Sequence, residues 1–186
     1  VEVFDELTDN GPKSASANGL NIQAIVGPGC SIVAEAISSR VKPAGRLIIS
    51  PSTESRTLKE LTQQLDDDLY YRLVGTEDSW AVPQGIFLHR QGYRKLALAY
   101  NQVDHVSTLY ALLVGDAFSD EGGELVDVPF THTDADIVNG AEVLSRIDQP
   151  GGPDAILLSS LVPGAVLVFQ ASLTYQWTHI PAPHWE

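Results

Sequence analysis

The sequence predicts an α/β protein in which parallel β-sheets carry helices on both faces. Short apolar runs typical of buried strands alternate along the 186 residues with apolar residues at helical spacing. Turns rich in glycine and proline separate these runs. Strands joined by helical crossovers are parallel. A hydrophobic content of 44% is enough for a core, in one large domain or two small lobes.

The predicted elements follow one another without an internal repeat. The helix that begins at Ser31 is expected to be closed by Pro43 and Gly45, and Pro83 is expected in the first turn of its helix. Residues 178–186 are consistent with a strand that is cut short. The other strands are expected over residues 1–4, 23–26, 46–49, 69–74, 95–100, 124–128 and 155–158. The other helices are expected over residues 13–18, 58–65, 80–90, 106–118, 134–147 and 163–173.

Negative charge is concentrated in the second half of the chain. Residues 1–95 carry 10 Lys and Arg against 12 Asp and Glu, a net charge of −2, whereas residues 96–186 carry one against 12, a net charge of −11. A surface this acidic repels phosphate backbones, which argues against nucleic acid as a partner. We interpret most of this charge as a solvated surface.

The chain shows no membrane-directed segment. No apolar run approaches the length of a membrane span, so we expect a protein that does not span a membrane. No apolar segment led by Lys or Arg stands at the start, so no signal sequence is recognisable in this chain. Because the chain begins at Val1 and contains no Met, we expect a processed chain or a fragment.

The first candidate site is the turn Gly27-Pro28-Gly29-Cys30-Ser31, which we call the first corner. It follows a predicted strand and opens a predicted helix. A glycine-rich turn lets the backbone approach a ligand, and the first N–H groups of the helix point outward. The Ser31 hydroxyl can cap its own helix, or it can donate to a bound carboxylate. The sequence leaves both interpretations open.

The second candidate site is Ser50-Pro51-Ser52-Thr53-Glu54-Ser55, which we call the second corner. It also follows a predicted strand. Its hydroxyl groups can serve as ordinary turn and capping groups. They can also hold a polar ligand, with Glu54 supplying a counter-charge to an ammonium group.

A third polar loop, residues 101–107, places His105 at another junction between a strand and a helix. A single His in a loop is usually solvated. The sequence has no metal-ligand motif, no nucleotide-binding glycine motif and no GxSxG elbow, so we expect no metal and no cofactor. Cys30 is the only cysteine, and we interpret it as a small packed residue.

The ordered series of segments resembles the type I periplasmic binding proteins, above all the branched-chain amino-acid receptors of ABC importers. The resemblance starts with Ala-Ile-Val-Gly-Pro-Gly-Cys-Ser and continues through Leu-Ile-Ile-Ser-Pro-Ser-Thr-Glu-Ser and Tyr-Tyr-Arg-Leu-Val-Gly. It extends through Gly-Tyr-Arg-Lys-Leu-Ala-Leu-Ala-Tyr to Pro-Asp-Ala-Ile-Leu-Leu. It implies two α/β lobes that close on a small ligand. Residues 1–76 would be part of the first lobe and residues 77–186 a partial second lobe.

The resemblance also implies ligand contacts. The carboxylate-binding Ser of the family falls on Ser31, and the closing aromatic residue falls on His105. Glu54 stands where the family usually has a Thr, which disfavours a plain amino acid and favours a cationic or amide ligand. A further aromatic contact falls on Leu161. The implied ligand-binding residues are Gly29, Ser31, Ser52, Thr53, Glu54 and His105.

The leading hypothesis is therefore a receptor without catalysis that captures a small polar solute, such as an amino acid or amide. Its implied partner is the membrane permease of an ABC importer, and its implied location is periplasmic or extracellular. One alternative is the ligand-binding ectodomain of a sensory receptor with the same fold. The other is an α/β enzyme that uses Cys30 with His105.

Overall fold

A computed structural model of the protein describes residues 23–58, 60 and 69–179. The elements predicted over residues 1–4 and 13–18, most of the helix predicted over 58–65, and residues 180–186 lie outside this part. The chain divides into two compact units, Val1–Glu77 and Asp78–Glu186. We describe each unit by itself.

The described part of the first unit contains a three-stranded parallel sheet. Its strands stand in the order β1-β2-β3, with Ile25 opposite Ile48 and Ile48 opposite Tyr70. Helix α1 connects β1 to β2 and buries Ala34 and Ile37, and Ile37 packs with Ile48. The elements are β1 (Ala24–Val26), α1 (Ser31–Ala44), β2 (Leu47–Ser50) and β3 (Tyr70–Arg72).

The second unit contains a second parallel sheet with β4 in its centre, in the order β5-β4-β6. Along β4, Ala97 and Ala99 pack on one face, whereas Leu96 and Leu98 pack on the other. Because side chains alternate along a strand, both faces of this sheet are buried. The elements are α2 (Asp78–Arg90), β4 (Lys95–Asn101), α3 (His105–Asp120), β5 (Glu124–Phe130), α4 (Gly140–Ile147), β6 (Ala155–Ser159) and α5 (Val162–Ser172).

This architecture confirms the predicted fold class, although two prolines lie differently from the prediction. Helix α1 runs to Ala44 and therefore includes Pro43 in its last turn. Helix α2 begins at Asp78, so Pro83 lies inside the helix rather than in its first turn. The missing N–H of Pro83 removes one hydrogen bond from the interior of α2.

Helix α4 begins at Gly140, six residues later than predicted. The preceding residues form a turn in which the Asp136 N–H donates to Thr133 Oγ1 and the Thr133 N–H donates to the Asp136 carbonyl, both at 2.9 Å. Such side chain–backbone bonds compete with a helix. Ile137 and Ala141 are apolar residues of the predicted helix, yet both are exposed.

Asp148 anchors the end of the described chain onto the second unit. Its buried carboxylate accepts from the Thr178 N–H at 2.7 Å, the Thr178 hydroxyl at 2.8 Å and the His179 N–H at 2.8 Å. Three donors satisfy a charge that would otherwise be costly to bury. The segment between α5 and His179 is thereby held against the end of α4.

We expect Asp148→Asn to lower the free energy of unfolding by about 2–3 kcal/mol. The amide replaces one accepting oxygen with a donor that faces other donors, so at least one hydrogen bond to a charged group is lost. Urea denaturation followed by circular dichroism measures the change. Asp116→Asn removes an exposed carboxylate of α3 and serves as the matched control. Equal stability of the two variants would contradict the anchoring role.

The second unit also carries an open apolar groove of about 360 Å³ between β6 and α5. Ile156, Leu158, Ala165, Val166 and Phe169 line it, and none of these side chains is polar. We therefore do not assign the groove to the candidate site. None of the helices formed by the described residues has both the length and the apolar character needed to cross a membrane.

Candidate functional site

Both corners of the first unit lie at the same edge of its sheet. The first corner follows the carboxyl end of β1, and the second corner follows the carboxyl end of β2. Because β1 and β2 are parallel neighbours, the two turns are adjacent. Gly27 has a φ of +131°, a backbone conformation that glycine adopts readily, and the Gly27-Pro28 bond is cis.

Ser31 connects the two corners. Its Oγ accepts hydrogen bonds from the N–H groups of Glu54 and Ser55, each at 3.2 Å. The first helical bond runs from the Ala34 N–H to the Cys30 carbonyl, so Cys30 occupies the N-cap position of α1. The Ser31 hydroxyl is therefore engaged by the second corner. Among the described residues it has no acceptor for its own proton, which it can donate to a ligand.

A second bond between the corners runs in the opposite direction. The Ser52 hydroxyl donates to the Gly29 carbonyl at 2.9 Å. A Cβ at position 29 would lie 3.3 Å from Ser52 Oγ, tighter than most contacts of this kind. Glycine at this position therefore lets the two turns approach closely.

Thr53 is placed differently from the other predicted ligand-binding residues of the second corner. Its side chain is fully buried, and its hydroxyl lies 2.7 Å from Ser50 Oγ and 2.9 Å from the Tyr70 hydroxyl. The Thr53 hydroxyl is therefore hydrogen-bonded to groups inside the first unit. Ser52, by contrast, is exposed.

Glu54 is held by its backbone and leaves its carboxylate in solvent. Its N–H donates to Ser31 Oγ, and its carbonyl accepts from the Glu77 N–H at 3.1 Å. No residue in the described part of the chain pairs with its carboxylate. The exposed carboxylate thus belongs to the residue whose N–H bonds to Ser31, and a cationic group is its favourable counter-charge.

The neighbouring Ser55 braces this arrangement from inside the unit. Its hydroxyl donates to the Glu35 carboxylate on α1, and its carbonyl accepts from Arg72 Nη1 at 3.0 Å. These bonds connect the second corner to α1 and to the end of β3. They restrict the backbone that carries the Glu54 N–H.

In the second unit, His105 is the exposed first residue of α3 and follows the carboxyl end of β4. Asp104 caps this helix by accepting from the Ser107 N–H at 3.1 Å. Leu161 holds the N-cap position of α5 and is 62% exposed. Cys30 is exposed, so its interpretation as a small packed residue is wrong. Cys30 and His105, the residues of the alternative enzyme hypothesis, belong to different units.

The described residues include no group of three or more His, Cys, Asp or Glu that could hold a metal ion. The sequence pattern gave no role to Tyr70 or Glu35 and none to Ser50 beyond that of a hydroxyl group of the second corner, although all three organise the interior of the corners. The period of two along β2 contained a signal for Ser50, because it places Ser50 on the same buried face as Ile48. The contacts of Tyr70 and Glu35 join distant parts of the chain and leave no local pattern.

The structural neighbours of this α/β chain have two-lobed periplasmic-binding-protein folds, of which the chain covers a part. No family model and no curated protein matches the chain in sequence. Solved structures of ABC-transporter solute-binding proteins share its fold. One from Rhodopseudomonas palustris HaA2, in complex with p-hydroxybenzoic acid, matches with a TM-score of 0.67 at 15% identity, covering 91% of this chain and 43% of that one.

Two further structures are of the leucine-binding type. The leucine binding protein LivK of Thermotoga maritima MSB8 matches with a TM-score of 0.64 at 16% identity, covering 90% of this chain and 46% of that one. An ABC transporter substrate-binding protein of Desulfitobacterium hafniense, in complex with Leu, matches with a TM-score of 0.63 at 22% identity, covering 83% and 44%. The chain therefore spans less than half the length of these proteins.

Proposed function

We propose that this chain is the ligand-binding part of an extracytoplasmic solute receptor that delivers a small molecule to an ABC importer. The observation that carries the proposal is the junction at Ser31. There a hydroxyl accepts two N–H groups from the second corner and keeps its own proton for a ligand. The shared fold with ABC-transporter solute-binding proteins supports the transport role. In this proposal the first unit belongs to the first lobe and the second unit to the second lobe.

The proposed site binds through polar groups without chemical conversion. The Ser31 hydroxyl and the backbone at Gly29 bind one end of the ligand, and Glu54 binds an amine or amide at the other. Ser52 can only accept from the ligand, because its own proton is donated to the Gly29 carbonyl. Thr53 supports the second corner from inside. His105, which the sequence resemblance includes among the ligand-binding residues, is proposed as a further ligand contact, and the membrane permease of the importer is the proposed partner. Two of the similar structures are complexes, one with leucine and one with p-hydroxybenzoic acid. Because these ligands differ in chemistry, a binding screen is the test of the ligand class.

We expect a thermal-shift screen of amino acids, amides, amines and hydroxybenzoates to yield a ligand that raises the melting temperature of this chain. Glu54→Gln should weaken binding of a cationic or amide ligand about tenfold, because it removes one charge-assisted contact. Titration calorimetry measures the affinity. Glu142→Gln, which neutralises an exposed carboxylate on α4, is the control.

The same titrations with His105→Ala test whether His105 contributes to ligand binding. Weaker binding would support it, and unchanged binding would remove His105 from the site. If Glu54→Gln and Ser31→Ala both leave the affinity for every ligand of the screen unchanged, the assignment of the site is wrong.

A further inference from the structure

Glu77 carries a buried carboxylate that lies outside both corners. The residue is 4% exposed and is the last of the first unit, immediately before helix α2. Burying a carboxylate costs free energy unless other groups compensate for the lost water. Glu77 bonds to the backbone of the second corner and of the residue that follows it, through both its own backbone and its side chain.

These two bonds of Glu77 reach the residues on either side of Ser55. The Glu77 N–H donates to the Glu54 carbonyl at 3.1 Å. The Glu77 carboxylate oxygen Oε2 accepts from the Arg56 N–H at 3.2 Å. One residue thus holds two successive peptide groups of the segment that carries Glu54.

The first of these, the peptide group between Glu54 and Ser55, is held at both edges. Its N–H belongs to Ser55 and donates to Ser31 Oγ at 3.2 Å, while its carbonyl accepts from the Glu77 N–H. This peptide bond is trans, so it is planar and its N–H and carbonyl point in opposite directions. Ser31 and Glu77 therefore bond to opposite edges of one rigid group.

The second peptide group, between Ser55 and Arg56, is held in the same way. Its carbonyl accepts from Arg72 Nη1 at 3.0 Å, and its N–H donates to the Glu77 carboxylate. Arg72 is the last residue of β3, so this group is attached to the sheet. Bonds on both edges of two successive peptide groups restrict the backbone rotations between them, which are the only soft coordinates of the chain.

The fixed backbone also determines the direction of the Ser31 hydroxyl. Ser31 Oγ accepts from the N–H groups of Glu54 and Ser55, which uses both of its lone pairs. Its own O–H bond is therefore directed away from these two donors. Glu77 holds the peptide group that supplies one of them, so it restricts the rotation of this hydroxyl without touching it.

We propose that Glu77 is a positioning residue of the ligand site. By holding the Glu54–Ser55 peptide group opposite Ser31, it fixes the direction of the Ser31 hydroxyl and the backbone that carries Glu54. Glu77 is itself buried and acts through the second corner. This inference rests on the proposed function, in which Ser31 and Glu54 contact the ligand.

The test is amide hydrogen exchange in the ligand-free, ¹⁵N-labelled chain. Glu77→Met keeps the approximate size of the side chain but removes the acceptor for the Arg56 N–H. The amides of Glu54 and Ser55 should then exchange about tenfold faster, because the backbone they belong to is released. Glu77→Gln keeps an acceptor oxygen and should leave both rates within about twofold.

Each rate is divided by that of the Ile48 amide, which donates to the Leu69 carbonyl at 2.8 Å within the sheet. A general loss of stability speeds all of these amides together and leaves the ratio unchanged. Ile37→Val is the matched control, because it removes one methyl group from a buried side chain that packs with Ile48. Unchanged ratios in Glu77→Met would overturn the proposal, as would an equal rise in Ile37→Val.

The same connection can be tested from its other side if Glu77→Met fails to fold. Ser31→Ala releases the opposite edge of the Glu54–Ser55 peptide group, so the Glu77 amide should exchange faster although Ser31 does not bond to it. Ser39→Ala, an exposed change on the same helix, should leave that rate unchanged. An unchanged Glu77 rate in Ser31→Ala would overturn the proposal.

These exchange rates need no ligand, so they decide this inference even if the proposed function fails. A compound of the screen that binds the unchanged chain should bind Glu77→Met about tenfold more weakly and Glu77→Gln within about twofold. Equal affinity of Glu77→Met and the unchanged chain would overturn the positioning role and leave the proposed function standing.

Discussion

Ser31→Ala is expected to weaken ligand binding by about 10- to 100-fold. The substitution removes the hydroxyl that we propose donates to the ligand, and with it the acceptor for the Glu54 and Ser55 N–H groups. Hydrogen bonds to charged groups contribute about 1.5–3 kcal/mol, which corresponds to this range of affinity. The loss of two cross-corner bonds also releases the backbone that carries Glu54. Titration calorimetry with the ligand selected by the screen measures the effect.

Ser39→Ala supplies the control for this substitution. Ser39 is an exposed serine on the same helix, and its replacement should leave the affinity within about twofold. Circular dichroism should show both variants folded. An affinity of Ser31→Ala equal to that of Ser39→Ala would remove Ser31 from the binding site.

Gly85→Ala should lower the free energy of unfolding by about 3 kcal/mol and the melting temperature by about 10 °C. A Cβ at this position of α2 would lie 2.3 Å from the Val114 carbonyl oxygen and 2.9 Å from the Phe118 nitrogen, both in the backbone of α3. Backbone atoms within a helix cannot move aside individually, so α2 must separate from α3. In an open helix the same change would stabilise by about 1 kcal/mol, so the sign of the effect is diagnostic.

Gly115→Ala is the comparison for Gly85→Ala. A Cβ there would lie 2.6 Å from Leu98 Cδ1 and 3.2 Å from Leu125 Cδ1, which are the ends of side chains that can rotate. We therefore expect a smaller loss of stability than for Gly85→Ala. Urea denaturation of both variants checks the order. A Gly85→Ala protein as stable as the unchanged chain would contradict the close approach of α2 and α3.

The fold class was predictable because strand and helix patterns in this chain are local and strong. The apolar run at β4 and the helical spacing along α3 predict those elements to within two residues at either end. The late start of α4 was not predictable from spacing, because the Thr133–Asp136 turn depends on specific side chain–backbone bonds. Ile32 fits the apolar pattern of α1 and is nevertheless 77% exposed, since periodicity alone does not say which side of a helix is covered.

The pairing of the two corners followed from parallel topology, but their internal chemistry did not. The sequence left Ser31 open between capping its own helix and donating to a bound carboxylate, and it gave no sign that the hydroxyl accepts from Glu54 and Ser55. Thr53 was predicted to touch ligand, whereas the structure engages its hydroxyl with Ser50 and Tyr70. These contacts span 3 and 17 residues of sequence, and the longer one depends on the register between β2 and β3.

The most direct test of the ligand site is a titration of the ¹⁵N-labelled chain with the ligand selected in the screen, followed residue by residue. We expect the amides of Gly29, Cys30, Ser31 and Glu54 to shift most and to saturate together at the calorimetric affinity. Saturable binding that leaves these four amides unmoved while others shift would contradict this expectation.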